Sequence, residues 1–162
     1  RLRAWAHITG ACKMGKSTKG HGGFARKRTS TAVKSSDSSC PVWLFDKLDK
    51  NGEFAFDVNS PDFNHKDFLS KMIEYSLIPW AAIKKQTHDE NKSKHHYLDY
   101  SSLSKEAQDR IKALDMESLT DAIFSFAFNN TLRIIGFRDG EYFHVVWYDR
   151  HHRFCPSKLK HT

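Results

Sequence analysis

Residues 123–148 constrain the fold more than any other stretch of the chain. Phe124, Phe126 and Phe128 alternate with Ser125 and Ala127, Asn129-Asn130 turns the chain, and two further runs, 131–137 and 141–148, flank Asp139-Gly140. Period-two alternation separates the faces of a strand, and Asp-Gly between two such runs is a strong signal for a two-residue hairpin loop. The stretch predicts a three-strand antiparallel meander. A loop at Asp139-Gly140 pairs Arg138 with Glu141, Phe137 with Tyr142, Ile135 with His144 and Arg133 with Val146. Leu132, Ile134, Phe143, Val145 and Trp147 then form a core face. The opposite face carries Arg133, Ile135 and Phe137 from one strand, and Tyr142, His144, Val146, Tyr148 and Arg150 from the other.

The preceding segment supplies a hairpin and two helices. Asn51-Gly52 is a second two-residue turn signal, pairing Lys50 with Glu53 and Asp49 with Phe54. Trp43, Phe45, Phe54, Phe56 and Val58 would share one face of it. Ser60-Pro61-Asp62 reads as a helix start, followed by Phe68, Met72 and Tyr75 at helical spacing beside Leu69, Ile73 and Leu77. Pro79 interrupts that helix, residues 80–85 add a short turn, and 87–94 form a polar loop. A second helix capped near Ser104 places Leu103, Ala107, Ile111 and Leu114 on one side. The expected fold is α+β: an N-terminal β-hairpin, two helices, then the three-strand antiparallel meander, with the helices packed on one face of the sheet.

Charge divides the chain in two. Residues 1–36 hold nine of its 26 Lys and Arg and none of its 19 Asp and Glu; the remainder holds 17 basic and 19 acidic side chains. Five of eight glycines also fall in this arm, which is rich in Ser and Thr and too poor in large apolar residues to fold alone. The organisation read from this is a cationic Gly/Ser-rich arm, 1–39, and a single α+β domain, 40–162. Lys13, Lys16, Lys19, Arg26, Lys27 and Arg28 are its candidate nucleic-acid contacts, because such a cluster suits phosphate backbones. Three widely spaced cysteines (Cys12, Cys40, Cys155) argue against a disulfide scaffold. No apolar run approaches bilayer length, and the N-terminus has no apolar signal-peptide core. The expectation is a cytoplasmic protein with no membrane partner.

Two motifs fail on context. The run Gly10-Ala11-Cys12-Lys13-Met14-Gly15-Lys16-Ser17 matches the phosphate-binding P-loop letter for letter. That chemistry needs a buried strand before it and a helix after it. Residues 4–9 make a poor strand, and Thr18-Lys19-Gly20-His21-Gly22-Gly23 does not make a helix. Ten histidines suggest zinc, but neither His95-His96 nor His151-His152 with Cys155 has a second pair at metal spacing. No metal and no cofactor are expected.

The remaining polar groups suit RNA. Arg133 suits phosphate, Tyr148 base stacking, and His144 proton transfer near neutral pH. Tyr148-Asp149-Arg150-His151-His152-Arg153 closes the last strand, and Lys94-His95-His96-Tyr97 precedes the second helix. A metal-free ribonuclease needs a base for the 2′-OH, an acid for the leaving oxygen and a cation for the charge at phosphorus. Both clusters contain those types.

The element order, with an Arg in Leu132-Arg133-Ile134-Ile135 and basic and His residues closing the last strand, resembles the RelE/HigB-like toxin superfamily over residues 41–155. The resemblance implies a small metal-free mRNA endonuclease, usually acting with the ribosome, and a protein antitoxin that masks the site. Arg133 would match the strand Arg that holds phosphate. Arg150, His151 and His152 would match the closing basic segment. The Asn51-Gly52 hairpin, the cationic arm and the larger, more acidic domain depart from the pattern. The expected function is an RNA-directed toxin-type endoribonuclease, with His144, His151, His152, Arg133, Tyr148 and Arg150 as catalytic candidates. Lys94, His95 and His96 join the arm as nucleic-acid contacts. The alternative is a non-catalytic nucleic-acid-binding module of a mobile-element, defence or ribosome-associated system, gripping through its basic arm.

Overall fold

The computed structural model describes residues 36–88 and 92–156, which belong to one unit spanning 33–162. The arm candidates Lys13, Lys16, Lys19, Arg26, Lys27 and Arg28 lie outside the described residues, as does the P-loop match. The fold is α+β around a five-stranded mixed sheet of order β1-β5-β4-β3-β2. Its elements are β1 (Val42–Leu44), α1 (His65–Ser76), α2 (Trp80–Lys84), β2 (His96–Tyr97), α3 (Lys105–Ala113), β3 (Ile123–Ala127), β4 (Arg133–Asp139) and β5 (Tyr142–Asp149). Strands β3, β4 and β5 run antiparallel in sequence order; β1 lies parallel to β5 at one edge, and β2 pairs with β3 at the other. No helix among the described residues is long and apolar enough to cross a membrane.

The sheet is covered on both faces, not one. Met72 and Tyr75 of α1 and Trp80 and Ile83 of α2 pack with Phe124, Phe126, Ile134, Phe143 and Val145. Ala107 and Ile111 of α3 pack with Ile123, Ile135, Phe137 and Trp147 on the other side. With both faces covered, every residue of β3 is buried, the small Ser125 and Ala127 of its α3 side as well as the phenylalanines.

Local signals explain the helix ends. Helix α3 starts where expected: the Ser104 hydroxyl accepts from the Ala107 amide at 3.2 Å. Helix α1 starts later than Ser60-Pro61-Asp62. Asn64 is its cap, accepting from the Asp67 amide at 3.0 Å while its own amide group donates to the Asp67 carboxylate at 2.9 Å. Ser60 instead accepts from the Asp62 amide in the turn before it.

Asn51-Gly52 turns the chain without making a hairpin. The Asp49 carboxylate takes the Asn51 amide, the Arg110 guanidinium (2.5 and 2.6 Å) and the Trp147 indole N–H (3.0 Å). These bonds fold residues 45–56 along β5, where Asp49 donates to the Val146 carbonyl and Tyr148 donates to the Phe54 carbonyl. The residues expected on one face therefore scatter: Phe54 joins the α3 side and Phe56 the α1 side, while Phe45 and Val58 stay exposed.

The β4–β5 pairing also differs from expectation. Asp139 pairs with Tyr142, so the loop is Gly140-Glu141, with Gly140 at φ 60° in the first loop position. Further along, Gly136 faces Val145 while Ile135 faces Trp147, and Val146 is the extra residue of a β-bulge. Glycine is required at 136, because a Cβ there would lie 2.0 Å from the His144 carbonyl oxygen. Past the bulge the faces exchange. Trp147, expected beside Ile134 and Phe143, joins Ile135 and Phe137; Tyr148 moves to the α1 side.

Candidate functional site

Cross-strand register assembles the polar end of the α3-side face. His96 of β2 faces Ser125 of β3, and Ser125 faces Ile135 of β4. In the adjoining row Ala127 faces Arg133, and Arg133 faces Asp149 at the end of β5. Opposed residues share a face, so His96, Arg133 and Asp149 gather at one corner.

Arg133 is the floor of this corner, 5% exposed. Its Nη1 donates to the Asn129 carbonyl at 2.8 Å and the Leu132 carbonyl at 3.1 Å. Among the described residues no carboxylate forms an ion pair with it. Asp149, its cross-strand neighbour, is committed elsewhere: its carboxylate accepts the amides of His151, Arg153 and Phe154 at 2.8–3.2 Å. Burial pulls the Arg133 pKa down, against the opposing charge of Asp149. An enclosed guanidinium lacking a paired anion raises the local potential and favours an incoming one.

The turn after β5 brings the second histidine. His152 adopts φ 56°, the left-handed region that a β-carbon disfavours, and it is half-buried. Burial lowers its pKa from the ordinary 6.5; the Arg133 charge and His96 and His88 push the same way, while Asp149 opposes them. The two sequence clusters thus come within electrostatic reach of each other. His96 remains open to solvent and Lys94 is half-buried nearby.

The other nominated residues go elsewhere. His95 is a buried structural histidine: its Nδ1 accepts the Ala127 amide at 3.1 Å and its Nε2 meets the Gln86 side-chain oxygen at 3.0 Å. His144 sits toward the loop end of β5, its Nδ1 2.7 Å from Asp46. The expected surface joining Arg133, His144 and Tyr148 does not form, because the bulge separates Tyr148 and the strand separates His144. Tyr148 lies on the α1 side, stacked on Phe63 with its hydroxyl accepting from the Asn64 amide.

Tyr148, Arg150 and His151 instead line a cleft of about 170 Å³ with Arg153, Glu53, Asp57 and Asp62. Arg150 is ion-paired with Asp62, and Arg153 with Glu53 at 2.9 Å. Asp149 belongs to both places, lining the cleft and facing Arg133 across the strands. His88 is the member of the corner that sequence reasoning missed; it stands in a polar loop closed by the Thr87–Ser93 bridge and by the Lys94 amide, which donates to the Gln86 carbonyl just before β2. Among the described residues no three His, Cys, Asp or Glu side chains converge as metal ligands do.

Comparison with protein-family models, with curated proteins and with solved structures finds no match.

Proposed function

We propose that the domain is a metal-independent, RNA-directed endoribonuclease of toxin type, acting at the corner formed by Arg133, His96 and His152. The observation that carries this reading is a buried guanidinium without an ion-pair partner, flanked by imidazoles from two distant segments of the chain. The Arg133 guanidinium faces the Asp149 carboxylate without pairing with it and is the cation available to a phosphodiester. One imidazole removes the 2′-OH proton as the 2′-oxygen attacks phosphorus; the other, protonated, donates to the departing 5′-oxygen. The products are a 2′,3′-cyclic phosphate and a 5′-hydroxyl end. Burial lowers the pKa of both His96 and His152, so either neutral imidazole suits the base role at pH 7; the one acting as acid must carry a proton, which places the rate maximum on the acid side of 6.5.

The test is cleavage of a short single-stranded RNA in the presence of a chelator. His96→Ala and His152→Ala each slow cleavage by about 10²–10⁴-fold while leaving RNA binding in place. The acidic limb of the pH–rate profile lies below the ordinary 6.5. Wild-type rates in the double variant would sink the reading.

A second reading is favoured by the nine cations and absence of acids in residues 1–36. In it the protein is a nucleic-acid-binding module that grips through the arm without cleaving. Removing residues 1–36 separates the two: a binding module loses nearly all affinity and its salt dependence, whereas the nuclease keeps cleaving. A protein antitoxin covering the Arg133 corner, and a cytoplasmic setting, belong to the toxin reading.

A further inference from the structure

The cleft beside the turn at 149–153 is not used by the proposed cleavage chemistry. Its volume, about 170 Å³, is below the roughly 300–1,000 Å³ of sites for drug-sized ligands. It is suited to a fragment the size of one planar heterocycle. The floor is aromatic, made by Phe54, Phe63 and Tyr148, each 7% exposed or less. The walls alternate donors and acceptors: Arg150 against Asp62, Arg153 against Glu53. The Arg150–Asp62 pair is accessible, with side chains 45% and 72% exposed.

A phosphate is a poor match for this cleft, because Glu53, Asp57, Asp62 and Asp149 outnumber the two arginines. A neutral ring with donors and acceptors side by side is a good one. Guanine accepts from arginine at O6 and N7 and donates from N1–H and the N2 amino group, which a carboxylate accepts, so it can slot between the members of the exposed Arg150–Asp62 pair; beneath it the rim of the Phe63–Tyr148 stack offers apolar contact. Uracil offers one ring donor and no amino group.

We propose that the cleft is a nucleobase subsite selective for guanine, receiving a base of the strand whose phosphate lies at Arg133. The inference rests on the RNA-directed reading for its substrate. The turn at 149–153 supports it by placing His151 and Arg150 toward the cleft and His152 toward Arg133. A strand crossing the turn meets the base subsite and the cleavage corner in succession.

Guanosine, which carries no phosphate, tests the cleft separately from the corner. Titrated into the full-length protein and followed by NMR, it shifts the amide signals of Arg150 and His151, whereas uridine binds about tenfold to a hundredfold more weakly. Asp62→Asn and Arg150→Gln, both at accessible positions, each weaken guanosine binding by a similar factor. Absence of guanosine binding while the RNA is still cleaved overturns the base subsite and leaves the nuclease standing. Guanosine saturation without RNA cleavage keeps the subsite and removes the nuclease. Tighter binding of N-acetylarginine amide than of guanosine overturns the proposal in favour of a cationic peptide.

Discussion

His95 allows a quantitative test of the packing around β2. Its ring is 1% exposed, lies edge-on to Tyr75 at 5.0 Å and tilts over Phe126 at 5.4 Å. Because Nδ1 accepts an amide N–H, the ring proton must sit on Nε2 and donate to Gln86. Charging the ring would set an N–H against the Ala127 N–H inside an apolar layer. Burial, with the nearby Lys94 and Arg133 charges, accordingly pushes the pKa down from 6.5 to about 3. Between those values the unfolded chain binds a proton that the folded chain refuses. Stability attributable to His95 is therefore complete above 6.5 and falls as pH drops, by about 1.4 kcal/mol per pH unit. By pH 4.5 the loss is about 3 kcal/mol. The informative variant is His95→Asn, whose Oδ1 takes the place of Nδ1 toward Ala127 but does not titrate. It costs about 1–3 kcal/mol at pH 7 through the lost Gln86 bond and ring contacts. Urea melts monitored by circular dichroism from pH 7 to 4.5 give the difference between the two proteins, in which other titrating groups cancel. That difference should fall by about 3 kcal/mol by pH 4.5, vanishing or reversing in favour of the variant; a constant difference would refute the buried neutral imidazole.

Three further outcomes follow from the same geometry. His152→Gly relieves the left-handed backbone, so the melting midpoint is unchanged or corresponds to a gain of about 1 kcal/mol, while RNA cleavage is lost; thermal melts and cleavage assays measure the two effects separately. Gly136→Ala drives a methyl into the His144 carbonyl and destabilises by at least about 3 kcal/mol in urea; a near-neutral result would mean the bulge is misplaced. Asp49→Ala leaves Arg110 and the Trp147 indole without their acceptor and costs about 3 kcal/mol. Although burial raises the Asp49 pKa, hydrogen bonds from Arg110, Asn51 and Trp147 outweigh it and leave the value lowered. The contribution of Asp49 is thus present above the unfolded carboxylate pKa and disappears on acidification, which the Asp49→Ala melts should show as a flatter acid limb.

The limits of sequence reading here have specific causes. The strand at 123–127 and the cap at Ser104 follow from alternation and capping chemistry, which act over a few residues. The Asn51-Gly52 hairpin fails because its flanking positions have stronger distant partners: Asp49 is claimed by Arg110, 61 residues away, and by Trp147, 98 residues away. Two-sided burial was hidden because the helices are individually ordinary, and only their placement reveals two layers. The corner at Arg133 was half legible. Residue type alone singles out Arg133, Lys94, His96 and His152, but bringing them together takes the β2–β3 pairing, a two-residue contact at a sheet edge that leaves almost no trace in the sequence. Tyr148 leaves the Arg133 face because of the bulge, whereas His144 sits farther along the strand because the Gly140-Glu141 loop moves its partner from Ile135 to Phe137.

The single surplus residue in β5 has an evolutionary corollary. Deleting Val146 would leave Ile135 opposite Trp147 and Arg133 opposite Asp149, the pairs the ladder already makes, so every later position would keep its outlook. What would go is the local bend, together with the apolar group that Val146 adds on the α3 side. The turn bearing His151 and His152 would thus hold its companions while changing the angle at which it meets them. In this architecture a one-codon deletion adjusts geometry without exchanging neighbours.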